Sequence, residues 1–491
     1  MKISNFLLSI SMMMCFISSC TLDRVSYTEI YPEKFFQNEG DIEAALTALY
    51  NPFSSDWGKL YTAAPESYFS SSEFSTDILK ATWTGYNHFY EHWWTVDGTD
   101  RASSFSQKLY EQYNFLSRIK STMFKIENSS VSVEVKSRTL SEAKCLYGWM
   151  GIIMYDIFGP VPLASDEAIQ NPQNTDVPAR LSDEEYSKIM EDMLIDAAKG
   201  LPEIQQEWGR VTKGMARMLL LKLHMINRNF EKAEIVAREL YEMEEQGYYE
   251  LFDKGYANIF SKSYAKNKEI IYAIPCGVGM PNLWHSEVLP TDYPYSGSID
   301  KWSGYRMDWR FFDTFEPNDE RLETIVSQYI NTDGELIKRG TGALSAGALP
   351  LKYGEDPAAV GEAMTIDFIV YRYTDVLLSL AECINENNDG PNKEAIGLVN
   401  RVRNRVGLKD LKSAQTTDKE AFNEAILNER GHEFYAEGLR RQDLIRHGKF
   451  ISTSLELYPN SQSAAHKVRF PIPTKYITES KGVVKQNEGY N

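Results

Sequence analysis

Residues 428–450 read NERGHEFYAEGLRRQDLIRHGKF and bring Glu429, Arg430, Glu433, Glu437, Arg440, Arg441, Asp443, Arg446 and His447 into one short segment. That density of acids and bases serves either a catalytic pair or a framework of paired charges around which a helical fold locks. Glu433 and Asp443 lie about 15 Å apart along a continuous helix rising 1.5 Å per residue. A glycosidase needs its two carboxyls within roughly 5–9.5 Å, so the pair fails unless the chain breaks at Gly438. Helical spacing pairs Glu437 with Arg440 or Arg441, and Asp443 with Arg446 or His447, three or four residues on. Carboxylates held by guanidinium groups have depressed pKa values, the wrong direction for a general acid. Glu429, Arg430, Glu433, Glu437, Arg440, Asp443 and Arg446 therefore read as a structural charge framework.

Helical periodicity spreads outward from this segment. Apolar positions recur at helical spacing over 41–50, 105–126 and 133–158, and Gly159-Pro160-Val161-Pro162 closes the last of these. Ser182-Asp183-Glu184-Glu185 has the form of a capping box opening the next helix. Residues 210–247 read as two helices joined at Asn227-Arg228-Asn229, and 367–406 repeat that layout around Asn388-Asp389-Gly390. Helix pairs of this kind predict a mainly α, tetratricopeptide-like repeat array interrupted by long insertions. Residues 270–350 break the pattern: they are rich in Gly, Pro and Tyr, with a strand-like EIIYAI beginning at Glu269, and predict a loop-rich, partly β insertion.

The chain has 491 residues, 43% hydrophobic and 25% charged, with a net charge of −17. That composition is globular, and the acidic balance argues against nucleic acid or anionic lipid headgroups as partners. The N-terminus, MKISNFLLSISMMMCFISSC, has Lys2 before an apolar run too short to span a bilayer, then Ile17-Ser18-Ser19 before Cys20. This resembles a bacterial lipobox, with residues 1–19 as the signal peptide and Cys20 as the lipidated residue. No CxxC spacing indicates a zinc knuckle or disulfide framework, and no metal or cofactor is expected.

One enzyme motif needs weighing. His88-Phe89-Tyr90-Glu91-His92 fits HxxEH, which on a helix places two imidazoles one turn apart beside a carboxylate, as zinc hydrolysis requires. Gly85 and Gly98 leave little helix around it and no acidic third ligand follows, so the expectation is a protein that is not an enzyme. Asn385-x-Asn387-x-Asp389-Gly390 opens like a calcium loop but has Ile396 where a bidentate Glu is needed.

Six blocks in order resemble the SusD/RagB family of outer-membrane nutrient-binding lipoproteins. They are the lipobox at Cys20, SEAKCLYGWMGIIMYDIFGPVPL at 141–163, YRYTDVLLSLAECINE at 371–386, LVNRVRNRVGL at 398–408, NERGHEFYAEGLRRQDLIRHGK at 428–449, and the ending from FPIPTKYIT at 470. The resemblance implies a SusD-like domain over 20–491, with an N-terminal part over about 20–230 and a C-terminal part over about 270–491. It also implies a lipid anchor in the outer membrane facing the cell exterior, and a SusC-like TonB-dependent transporter as partner. The implied role is capture of oligosaccharide or polysaccharide for import, with a peptide-binding member of the same family as the alternative.

A sugar ring offers an apolar face that packs on Trp or Tyr and a rim of hydroxyls that polar side chains take. Two aromatic stretches fit. The candidate ligand contacts in the first are Trp83, Tyr86, Asn87, Trp93 and Trp94; in the second they are Trp284, Tyr293, Tyr295, Trp302 and Arg306.

Overall fold

The computed structural model describes residues 36–490, apart from 65, 172, 175 and 176. The expected lipobox at Cys20 lies outside the described residues. Helix α1 (Glu39–Ala48) is followed by α2 (Tyr68–Phe74), strand β1 (Leu79–Ala81), and then helix α3 (Asn114–Glu127). The array proper is α4 (Val133–Phe158), α5 (Asp183–Gly200), α6 (Lys213–Ile226) and α7 (Phe230–Glu245), each packed on the next. After a long insertion it resumes with α8 (Tyr373–Asn387) and α9 (Lys393–Arg405), and α8 packs directly on α7. Helices α10 (Lys419–Phe434) and α11 (Arg440–Arg446) close the chain against it. The mainly α repeat architecture is as the periodicity predicts.

The caps explain the boundaries. Ser132 accepts from the Val135 amide to start α4, and Gly159 ends it with φ of 75°, a conformation that suits glycine. Ser182 and Glu185 form the reciprocal capping box at the head of α5. Close packing of α4 on α5 depends on missing side chains: a Cβ on Gly148 would sit 2.6 Å from Leu194 Cγ, and one on Gly151 would sit 2.0 Å from Met190 Sδ.

Strand β2 (Ile270–Ile274) opens the insertion and pairs antiparallel with β6 (Phe368–Arg372), which closes it. The expected helix at 371–386 therefore starts two residues later, because Tyr371 and Arg372 belong to this ladder. Between them lie β3 (Ser298–Ile299), β4 (Tyr305–Met307) and β5 (Val360–Gly361). β4 pairs with β1, Leu79 opposite Met307, and so ties the insertion to the N-terminal segment.

The opening segment breaks where Gly438 allows. α10 ends at Phe434, Ala436 and Gly438 have φ of 60° and 77°, and α11 begins at Arg440. The charges are paired and buried, mostly across the fold. Glu433 lies between Arg321 at 3.2 Å, Arg372 at 2.9 Å and Arg405. Glu429 bridges Arg321 at 2.7 Å and Arg403 at 2.9 Å, and Glu437 bridges Arg372 at 2.7 Å and Lys352 at 2.5 Å. Arg430 joins Asp375 to Asp443, and Arg446 joins Asp443 to Glu382. Only Asp443–Arg446 follows the local spacing. Arg440 reaches back to Asp77 and Arg441 to Asp156, so their expected pairing with Glu437 is corrected. Burial alone raises the Glu433 pKa, but Arg405, Arg372 and Arg321 outweigh it and hold the carboxyl far below its ordinary range. Glu382 and Asp375 are held low in the same way, by Arg446 and by Lys222 with Arg430.

Candidate functional site

Three segments meet at Trp57. The first is the turn after Phe53, fixed by the buried Ser55, whose hydroxyl donates to the Pro281 carbonyl at 2.9 Å. The second is the 298–304 segment: the amides of Trp302, Ser303 and Gly304 donate to the carbonyls of Ser286, Leu289 and Glu287 at 2.7–3.0 Å. The third is the turn at Gly361-Glu362, closed by reciprocal hydrogen bonds between Val360 and Ala363 at 3.1 Å and paired with β3. Backbone hydrogen bonds thus hold all three rigidly.

Trp57 is 46% exposed. Its indole lies 5.7 Å from that of half-buried Trp302, inclined at 43°, and its Nε1 donates to Glu362 Oε1 at 2.9 Å. Val278, Met280 and Val360, on the same or hydrogen-bonded neighbouring segments, are also exposed.

Trp83 approaches the same loop from its other side. Thr82 donates from its amide to Gly304 O at 2.7 Å and from its hydroxyl to Ser303 O at 3.0 Å. A Cβ on Gly304 would meet the Trp83 ring at 2.2 Å, so glycine is required for this approach. Arg306, expected to take ligand hydroxyls, is instead a buried brace. Its guanidinium donates to the carbonyls of Ala343, Val288 and Tyr305 and to Ser303 Oγ at 2.6–3.0 Å, supporting the turn that presents Trp302. With no carboxylate in contact, burial lowers its pKa to about 10.

Below the platform sits Glu287, 1% exposed, with Oε2 unpartnered. Burial first, with Glu362 adding, pushes its carboxyl up to about 8, against a hydrogen bond with Tyr305 that opposes the shift. The Tyr305 hydroxyl gives its one proton to Ala63 O at 2.6 Å.

The other candidates divide. Tyr86, Trp94 and Trp284 are buried core residues, contrary to a surface role. Tyr86 lies among Phe74, Trp83 and Phe105; Trp94 stacks on Phe470 at 4.2 Å and donates to the Tyr490 hydroxyl; Trp284 donates to Pro350 O at 2.8 Å. Each indole N–H is satisfied, which is what makes a buried Trp tolerable. Trp93 is 42% exposed beside His88, and Asn87 donates to Glu91 at 2.7 Å. Tyr293 and Tyr295 are half-buried, the first against Tyr329. The Tyr295 hydroxyl is held by His285 Nδ1 and the Asp356 amide, both at 2.9 Å. Trp57 was missing from the sequence-based candidates: it stands alone in a loop, and its partners are supplied by residues far along the chain.

HxxEH does not assemble. The helix there spans only Asn87–Tyr90, and His92 follows it with φ of 52°. His92 Nε2 faces Ser75 O at 3.1 Å and Nδ1 faces Ser463 Oγ at 2.7 Å, leaving no lone pair for a metal. Among the described residues no three His, Cys, Asp or Glu side chains form a metal-holding cluster, and no helix is long and apolar enough to cross a membrane.

Comparison with known proteins bears on the fold. The profile of the SusD family matches residues 327–490. A SusD-like protein of Formosa agariphila is 22% identical, with all of both chains aligned. The starch-binding protein SusD of Bacteroides thetaiotaomicron is 29% identical over 25% of this chain and 22% of its own. Among solved structures, surface glycan-binding protein A from B. thetaiotaomicron superposes with a TM-score of 0.75 at 18% identity, covering 92% of this chain and all of the other. The same protein in complex with laminarihexaose gives 0.70 at 19% identity, over 91% and 99%.

Proposed function

We propose that this chain, a SusD-family protein, is a cell-surface lipoprotein that binds glycan on the Trp57–Trp302 platform and delivers it to a SusC-like TonB-dependent transporter. The observation that carries the binding role is the platform itself: two indoles on loops held by hydrogen bonds and a carboxylate beside them. A sugar packs its C–H face on such rings while its hydroxyls donate to Glu362. Trp83, Trp93, Asn87, Tyr293 and Tyr295, each at least partly exposed, are further candidate contacts. Tyr86, Trp94, Trp284 and Arg306 act through packing behind the surface.

Anchoring rests on the lipobox, with lipidation of Cys20 after removal of residues 1–19. The family resemblance supports a position on the outer membrane, facing out, where a transporter barrel would receive the ligand. The SusD-like unit spans 20–491, with its two parts joined through the β1–β4 ladder. No enzymatic step is assigned: the acids and bases of 428–450 are consumed in pairing, and HxxEH holds no metal geometry.

Isothermal titration against a panel of oligosaccharides tests the reading. Wild type binds at least one member, and Trp302→Ala weakens that binding about tenfold, roughly 1.4 kcal/mol. Binding of peptides with no response to any glycan would move the assignment to the peptide-binding alternative.

A further inference from the structure

Glu362 is placed to choose among glycans. It sits in a two-residue turn whose backbone is fixed on both sides, and Ser286 Oγ donates to its carbonyl at 3.0 Å. Its Oε1 accepts from Trp57 Nε1, which orients the carboxylate at the edge of the indole pair. Among the described residues no lysine or arginine forms an ion pair with it. The lysines beside the two indoles in sequence, Lys301 and Lys59, bond neutral oxygens and keep their charge, Lys301 donating to Tyr293 O at 2.5 Å and Lys59 to Asn51 Oδ1 at 2.7 Å, while Arg306 is sealed beneath the turn. Two further carboxylates flank the platform, Asp56 beside Trp57 and Asp300 in the segment that carries Trp302, its amide bonded to Gly361 O at 2.7 Å.

An ionised carboxylate is acceptor-only. Vicinal hydroxyls of a neutral sugar donate to its free oxygen and remaining lone pairs. A uronate or sulfate brings acceptors and a like charge instead, against three carboxylates and two lysines, and like charges brought together disfavour the wrong partner.

We infer that Glu362 is a specificity-determining residue that restricts the Trp57–Trp302 platform to neutral glycans and rejects uronate and sulfated ones. The inference rests on the glycan-binding reading given above.

The test titrates wild type, Glu362→Gln and Trp302→Ala with neutral hexasaccharides and with uronate hexasaccharides of equal length, at low and high salt. Glutamine keeps an oxygen for the Trp57 N–H and the same volume, so the platform stays assembled. Wild type is expected to prefer its best neutral ligand over every uronate by at least about tenfold, the gap narrowing at high salt as screening shortens the reach of the charge. Glu362→Gln reduces that gap about fivefold or more while changing neutral affinity only a few-fold. A uronate that binds wild type as tightly as the best neutral sugar overturns the inference. So does binding that depends on Trp302 but keeps its selectivity in Glu362→Gln, and this outcome leaves the glycan-binding reading standing. Absence of binding by either class overturns that reading and this one together.

Discussion

The clamp at 428–450 and the platform at Trp57–Trp302 both combine aromatics with carboxylates, yet they treat charge in opposite ways. In the clamp, Glu433 is surrounded by Arg321, Arg372 and Arg405, and no part of it reaches solvent. In the platform, among the described residues, Glu362 has one indole N–H and no ion pair, and Glu287 below it has an oxygen with no partner. Buried charge held in ion pairs fixes a fold and leaves little to bind with. Underused polar capacity beside exposed rings is what a ligand can complete.

The largest effect that would break this contrast lies in the clamp. Glu433→Ala leaves three buried guanidiniums facing one another without their shared carboxylate, and removing one partner of a buried ion pair costs about 3–5 kcal/mol. The denaturant midpoint should fall accordingly, while the folded fraction keeps its glycan preference. A well-folded Glu433→Ala protein with altered selectivity would erase the distinction between the two regions. Acid is a second probe of the same cluster. Glu433, Asp375 and Glu382 have folded pKa values below their unfolded ones, so their contribution is present above about pH 4 and is lost as pH falls below that. Thermal scans from pH 7 to pH 3 should show the midpoint dropping over the last unit.

Glu287 carries the opposite sign and a smaller expected effect. Its folded pKa is raised to about 8, so the folded state holds a proton that the unfolded chain releases near pH 4.5. No penalty exists below that value; it grows as pH rises from about 4.5 to 8, then levels off. Glu287→Gln mimics the protonated form. Its stability relative to wild type should increase by about 1–3 kcal/mol between pH 4.5 and pH 9, measured by urea unfolding at each pH. A difference independent of pH would mean that Glu287 is not neutral in the folded protein, and the contrast with the clamp would lose one of its supports.

How far the two regions were legible in the sequence differs for the same physical reason. α4 and the pairs 213–245 and 373–405 announce themselves through period, caps and turn residues, all local signals. The clamp was readable as paired charge, but its partners were not: of the local pairs, only Asp443–Arg446 survives, because after the break at 435–439 Arg440 and Arg441 meet Asp77 and Asp156 on other elements. Aromatic side chains gave still less away. Trp284 and Trp302 are close in sequence, but one is enclosed within the insertion and the other is half-buried at its surface, a difference set by which loops cover them. Trp57 had no local pattern at all, and its role depends on Glu362 and Trp302, which folding brings to it.

The finest test separates the two things Trp57 contributes. Its ring offers an apolar face for stacking, and its N–H orients Glu362. Trp57→Ala removes both and should weaken binding of the preferred glycan about tenfold, near 1.4 kcal/mol. Trp57→Phe keeps a ring but frees the carboxylate, so affinity should fall only about two- to fivefold, within the range of one exposed hydrogen bond. Stability should move by no more than about 0.5 kcal/mol in either variant, because a half-exposed loop side chain supports little of the core. That pairing of lost affinity with unchanged stability is the reverse of what Glu433→Ala should show. If Trp57→Phe binds as poorly as Trp57→Ala, the N–H rather than the ring face carries the site, and the platform is better understood as a means of aiming Glu362.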